Sequence, residues 1–346
     1  MTIPPAPLRL SLDGDALVAN WRALDAMSGS AACGAAVKAD GYGLGARDVV
    51  RRLSRAGCRD FFVATWAEAA TLGDIAPASL SVLHGVRAED MDLALAGPAR
   101  PVLASAEQVR RWREAGGGVC DVMVDTGMNR LGISVEDAAS GLLDGLTIDT
   151  LMSHLACADE DVSMNARQRD ALAGLRGRTA ARRMSLANSA GIALGGDYHF
   201  DLTRPGIALY GGVQCAAHAV HIRQVVFPQA QILQRRHVKA GETVGYNATW
   251  TAPADTQVAI LNIGYADGYL RCFSGKGGAH SGDRKLPVLG RVSMDLLAVG
   301  VDAAAELAEG DWIGLDYALP ETAMLTGLSQ YELLTGLGQR FDRVWM

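Results

Sequence analysis

The 346-residue chain has no paired cysteine signal. Its six cysteines, at 33, 58, 120, 157, 215 and 272, are scattered, and none forms a Cys-x-x-Cys pair. Neither a zinc site nor a disulfide framework is expected from them. There is no run of about 18 apolar residues, so no membrane span is expected. There is no block of lysine or arginine, and the formal net charge is -6. Nucleic acid and a charged membrane surface are therefore not expected partners. The first seven residues lack the basic start and apolar stretch of a signal peptide, and the expected location is the cytoplasm.

What is present is an ordinary globular composition, 49% apolar and 20% charged, in a chain too long for a single core. Short apolar, often β-branched runs predict strands near 33–38, 60–65, 80–84, 101–104, 119–125, 149–154, 184–188 and 207–210. Helical spacing lies between them, as at Ala106, Val109 and Trp112. Asp13 looks like the cap of a helix carrying Ala16, Leu17 and Trp21. Eight strands alternating with helices predict parallel βα units, and eight is the number that closes a TIM barrel. An open doubly wound sheet is the alternative, but no Gly-x-Gly-x-x-Gly follows the first strand. After about residue 220 the pattern changes to apolar or alternating runs, at 225–233 and 257–263, with Gly-rich turns at 275–278 and 310. The expected fold is thus α/β: a TIM (β/α)8 barrel over residues 1–222, followed by an all-β domain over 223–346.

Six polar residues fall at or just after the expected C-terminal ends of barrel strands, the face where barrel active sites are built. They are Lys38, Arg130, His154, Asn188, Ser189 and Arg204. A lysine at an apolar barrel mouth is desolvated, which frees a nucleophilic amine. Gly41, Gly43 and Gly45 would keep the following loop open to a ligand. Asn188-Ser189-Ala190-Gly191 and Pro205-Gly206-Ile207 offer a hydroxyl and backbone N–H groups that can surround an anion.

These segments belong to a longer series. Ala36-Val37-Lys38-Ala39-Asp40-Gly41-Tyr42-Gly43, Val124-Asp125-Thr126-Gly127-Met128-Asn129-Arg130-Leu131-Gly132 and Ser153-His154-Leu155-Ala156 are followed by Asn188-Ser189-Ala190 and Arg204-Pro205-Gly206-Ile207. Val244-Gly245-Tyr246-Asn247, Ile263-Gly264-Tyr265-Ala266-Asp267-Gly268, Gly290-Arg291-Val292-Ser293-Met294-Asp295 and Tyr331-Glu332 complete it. In this order the chain resembles the alanine racemase family along nearly its whole length.

The resemblance implies a fold-type III enzyme dependent on pyridoxal 5'-phosphate that interconverts L- and D-alanine, for peptidoglycan supply or for degradation. Lys38 would carry the cofactor as a Schiff base and act as one base, with Tyr246 as the opposing base. Arg204 would bond the pyridine nitrogen. His154 would lie near the ring and join a network linking Arg204 with Tyr246, whose cations would favour a phenolate. Tyr42, Asn188, Ser189, Gly206, Ile207 and Tyr331 would serve the cofactor, mostly at its phosphate. Arg130 and the Met294 N–H would hold the substrate carboxylate, and Tyr265 would line the entrance. No metal is implied. The expected assembly is a homodimer in which each site takes residues from both subunits.

One position departs from the family pattern. Met123 stands where many members have a carbamylated lysine that supports the barrel arginine. A racemase acting on serine or on a broader range of amino acids, a decarboxylase of similar architecture and a non-catalytic barrel that binds pyridoxal phosphate are the competing readings.

Overall fold

The computed structural model describes residues 4–75, 78–97 and 99–346. The N-terminal residues 1–3 lie outside the described residues. The chain divides into two compact units, residues 16–223 and residues 1–15 with 224–346.

The first unit is the expected parallel barrel. Its strands are Ala32–Cys33 with Ala35–Ala36, Asp60–Val63, Ser79–Val82, Arg100–Leu103, Cys120–Asp125, Ile148–Met152, Arg183–Ser185 and Leu202–Thr203. Each pairs in parallel with the next, and Leu202–Thr203 returns to Ala32–Cys33. Gly34 divides the first strand. A Cβ there would meet the Asp60 carbonyl and the Phe62 ring at 2.9 Å, so only glycine permits this closure.

The eighth strand differs from expectation. Ile207–Tyr210 is a fully buried 3-10 turn, and the strand is Leu202–Thr203. A short, wholly apolar run has no periodicity that separates a buried strand from a buried turn.

At the N-terminal ends of the strands the barrel interior holds a charged layer. Arg183 bridges Asp60 (2.7 and 3.1 Å) and Asp149 (2.7 Å). Arg100 reaches Asp149 at 3.2 Å, and Asp121 accepts from the Ser81 hydroxyl at 2.6 Å and the Thr150 N–H at 3.0 Å. Burial on this scale requires such mutual satisfaction. Along Cys120–Asp125 the inward positions alternate, which puts Met123 between Asp121 and Asp125 as a buried apolar residue.

The second unit is antiparallel. Val226–Val238 pairs with Trp312–Leu315, and the order continues through Gly278–Ser281, Arg284–Leu289 and Leu297–Gly300 to Thr256–Leu261, which pairs back to Val226–Val238. Leu8–Leu12 joins this unit, antiparallel to Val226–Val238 and parallel to Asp342–Trp345. The expectation had placed residues 1–222 together in the barrel. Leu8, Leu10 and Leu12 instead bury a period-two apolar face, which suits a strand, beside residues more than two hundred positions away.

Candidate active site

Lys38 follows the first strand directly and opens an unusual turn. Ala39, Asp40, Gly41 and Tyr42 all have φ between 51° and 64°, which makes a short left-handed turn of helix. Each L-residue in that conformation costs about 1–2 kcal/mol. Hydrogen bonds offset the cost. The N–H groups of Gly41, Gly43 and Gly45 donate to the carbonyls of Val37, Ala39 and Asp40, each at 2.8 Å. Asp40 Oδ1 accepts the Ala46 N–H at 2.8 Å. Gly41 is needed for space as well: a Cβ would meet the Ala46 backbone at 3.1 Å. The glycines thus serve the turn's conformation and packing rather than an open loop.

Lys38 itself is half-buried beyond the fully buried Val37. Burial first, then Arg130 and Arg204, lower its pKa from the usual lysine value, while Glu68 opposes them. Glu68 was not anticipated from the sequence. Thr65-x-x-Glu68 is spaced as an ordinary helix cap, and that spacing was the available signal.

Arg204 follows the eighth strand, and its guanidinium turns into the barrel. It donates to the Ser185 hydroxyl and to the Ser153 carbonyl, and it lies 6.0 Å from the Phe62 ring centroid. Burial pulls its pKa down to about 10, with Asp121 opposing, so it stays a cation at neutral pH. His154 does not. Burial, then Arg204, Arg130 and Lys38, push its pKa down to about 3. These influences favour the neutral imidazole. Gln168, fully buried, fixes this segment by donating to the His154 carbonyl at 2.9 Å and accepting the Ala156 N–H at 2.9 Å.

Next to Arg204 the polar groups converge. Ser189 Oγ accepts the Gly206 N–H at 2.9 Å and the Ala208 N–H at 3.3 Å. Asn188 caps the short helix Ser189–Ile192 by accepting the Gly191 N–H at 2.8 Å. Ile207 follows, buried, as the first residue of the 3-10 turn. The Tyr42 hydroxyl lies 2.2 Å from where a Cβ on Gly206 would be. The Tyr42 ring stacks on Tyr210 at 4.6 Å, and the Tyr210 hydroxyl donates to the Ala36 carbonyl at 2.8 Å. Two hydroxyls, two backbone N–H groups turned on Ser189 Oγ and a glycine with no room for a side chain thus lie together beside Arg204.

Arg130 is exposed on a loop organised by Asp125. That carboxylate accepts the N–H groups of Gly127 (2.8 Å), Asn129 (3.1 Å) and Arg130 (3.1 Å). Burial raises the Asp125 pKa, but these backbone donors outweigh it and hold the carboxyl below its usual range.

The other expected residues lie in the antiparallel unit. Tyr246 sits at the tip of the hairpin Thr243–Val244 and Trp250–Thr251 and is 65% exposed. Val244 and Trp250 anchor the hairpin on Val238, Ala252, Val258, Leu289 and Ala298. Tyr265 and Met294 are brought together: the Tyr265 N–H donates to Ser293 and the Ala266 N–H to Met294, each at 3.0 Å. A Cβ on Gly264 would meet the Met294 carbonyl at 2.3 Å, so the two loops touch. Arg340, another residue not anticipated, clamps them through Asp267 (2.6 and 2.8 Å) and Asp295 (2.7 Å). Tyr331 is 41% exposed in the helix Gln330–Thr335, which Ser329 and Glu332 cap.

A half-buried lysine, a buried arginine and a cluster of hydroxyl and N–H groups thus lie on the C-terminal rim of a parallel barrel, the face where barrel active sites are built. Comparison sets the family. The family model described as "Alanine racemase, N-terminal domain" matches residues 12–214, and "Alanine racemase, C-terminal domain" matches residues 225–345. The chain is 42% identical to the biosynthetic alanine racemase of Agrobacterium fabrum, over 99% of this chain and 94% of that protein. It is 42% identical to the alanine racemase of Acidiphilium cryptum, over 97% and 98%. It superposes on the crystal structure of alanine racemase from Bartonella henselae with covalently bound pyridoxal phosphate. There the TM-score is 0.91 and the identity 33%, covering 99% of this chain and 100% of that one. The chain belongs to the alanine racemase family. The match to the C-terminal domain sets aside a barrel-only binding protein.

Proposed function

We propose that this protein is a pyridoxal phosphate-dependent racemase that interconverts L- and D-alanine, with each site shared between two subunits. The observation that carries the reading is the lysine with a lowered pKa on the same rim as the Ser189–Gly206–Tyr42 cradle. Those residues fit the cofactor: Lys38 would take its carbonyl carbon, and Tyr42, Ser189, Gly206 and Ile207, with Tyr331, would hold its phosphate. When bound, pyridoxal phosphate supplies an electron sink for the substrate's Cα–H electron pair.

The chain's own groups do the rest. Lys38, its pKa lowered by burial and by Arg130 and Arg204, accepts or returns the α-proton on one face. Tyr246 does so on the other. Arg204, fixed by Ser185 and Ser153, would bond the pyridine nitrogen and could not accept a proton there, which would keep the electron sink weak and limit side reactions. Arg130, on the loop set by Asp125, binds the substrate carboxylate. The Met294 N–H contributes to that carboxylate, and Tyr265 narrows the entrance.

The exposure of Tyr246 supports a shared site, since a base must be enclosed to act. The test is chiral separation of products from a panel of L-amino acids, serine included, with Lys38→Ala and Tyr246→Phe as inactive controls. Mixing the two inactive variants under subunit exchange should restore about a quarter of wild-type activity, because half the dimers are mixed and each has one intact site. A fully active monomer, or no recovery on mixing, would refute the sharing. Serine turned over faster than alanine would refute the substrate.

A further inference from the structure

We propose that Glu68 is the positioning residue for Lys38, its carboxylate fastening the left-handed turn that sets where the amine sits. The inference rests on the reading of Lys38 as the cofactor-bearing residue.

Glu68 lies three residues after Thr65, which caps the helix Trp66–Thr71 by accepting the Glu68 N–H at 3.2 Å. In a common capping box the acid reaches back to the N–H of the cap residue itself. Here the two oxygens go elsewhere. Oε2 accepts the Ala64 N–H at 2.7 Å, and Oε1 crosses to the Ala39 N–H at 2.8 Å. Ala64 follows the second barrel strand, and Ala39 follows Lys38 beyond the first. One carboxylate therefore ties the rims of two adjacent strands together, at the residue where the backbone enters the left-handed region.

Two consequences follow from that placement. The first is mechanical. Ala39, Asp40 and Tyr42 are strained L-residues, and the Glu68 bond is the contact that holds the first of them from outside the turn. Without it the turn can relax toward ordinary backbone, and Lys38 moves with it. The second is electrostatic. The charged groups acting on Lys38 are Arg130 and Arg204, both cations, and Glu68, the opposing anion; His154 beside them is neutral. Glu68 thus limits how far burial and the two arginines depress the amine.

Glu68→Gln separates this role from simple helix capping. An amide offers one acceptor oxygen, so either Ala39 or Ala64 would face its NH2. The charge is lost as well. The full-length protein with pyridoxal phosphate is titrated by its visible absorbance, and the adduct is located by borohydride reduction and peptide mass. Glu68→Gln is expected to move the titration midpoint to lower pH by at least about half a unit. It should lower kcat by about tenfold and change KM by less than about threefold.

Glu68→Asp keeps the charge but is too short to reach Ala39. It should lower kcat and leave the midpoint near wild type. Thr65→Val removes the helix cap without touching Ala39, so it should lower the melting temperature and leave the midpoint in place. A Glu68→Gln midpoint equal to wild type, an equal shift in Thr65→Val, or kcat within twofold in both Glu68 variants would each overturn the proposal. If the wild-type protein forms no adduct on Lys38, the reading of Lys38 itself fails. If it does and Glu68→Gln behaves identically, only the role of Glu68 fails.

Discussion

Asp149→Asn should destabilise the barrel unit in a way that fades as the solution is acidified. The Asp149 side chain is 7% exposed and receives Arg183 Nη2 and Arg182 Nε at 2.7 Å, Thr150 Oγ1 at 3.1 Å and Arg100 Nη2 at 3.2 Å. Burial alone would raise its pKa. Arg183, Arg182 and Arg100 outweigh burial and hold it at about 2, against an ordinary 3.8. At 1.36 kcal/mol per pH unit, that difference is worth about 2.5 kcal/mol of stability at neutral pH. Removing one partner of a buried ion pair costs about 3–5 kcal/mol by a separate route. The lower end applies here, because Asp60 and Asp121 remain as partners for Arg183 and Arg100. Both routes give about 3 kcal/mol.

The folded-state pKa is depressed, so the contribution is complete above the unfolded value and is lost as pH falls through the folded one. The gap between wild type and Asp149→Asn should therefore be constant from pH 7 to 5 and shrink by about 1 kcal/mol by pH 3. Urea unfolding followed by circular dichroism measures it. A gap below about 1 kcal/mol at pH 7, or one equally large at pH 3, would refute the argument.

Two further outcomes are expected. Gly206→Ala drives a methyl into the Tyr42 hydroxyl, a contact of 2.2 Å with the end of a buried ring. It should weaken pyridoxal phosphate binding about tenfold, measured by absorbance titration, and binding equal to wild type would refute the close fit. Arg340→Met strands Asp267, which is 1% exposed. It should cost the antiparallel unit about 2–4 kcal/mol and speed hydrogen exchange at the Tyr265 and Ala266 amides, whose bonds to Ser293 and Met294 it stabilises.

The strand ends carrying Lys38, Arg130, His154 and Asn188 were legible because a parallel barrel repeats one local pattern, and the polar residue that breaks each apolar run marks the rim. Leu202–Thr203 was not, since two residues carry no period and the apolar Ile207–Tyr210 beside them reads as the better strand. The pairing of Leu8–Leu12 depends on register with distant chain, which no local pattern encodes. The lowered pKa of His154 was also out of reach: the sequence supplies the neighbouring cations but not the burial that leads them. Glu68 and Arg340 were missed for a shared reason. Each acts through backbone N–H groups or carboxylates on segments distant in sequence, which no local pattern encodes.

The strand Leu8–Leu12 leaves the ribosome before the barrel, yet its neighbours are Val226–Val238 and Asp342–Trp345, which follow the barrel in the chain. Residues 16–223, complete in themselves, emerge in between. At ~5–20 residues per second, the amino-terminal strand waits on the order of ten seconds or more for its partners. During that time its apolar Leu8, Leu10 and Leu12 edge is unpaired and open to other chains. The order of synthesis thus leaves the barrel free to form early and makes the antiparallel unit the last to close.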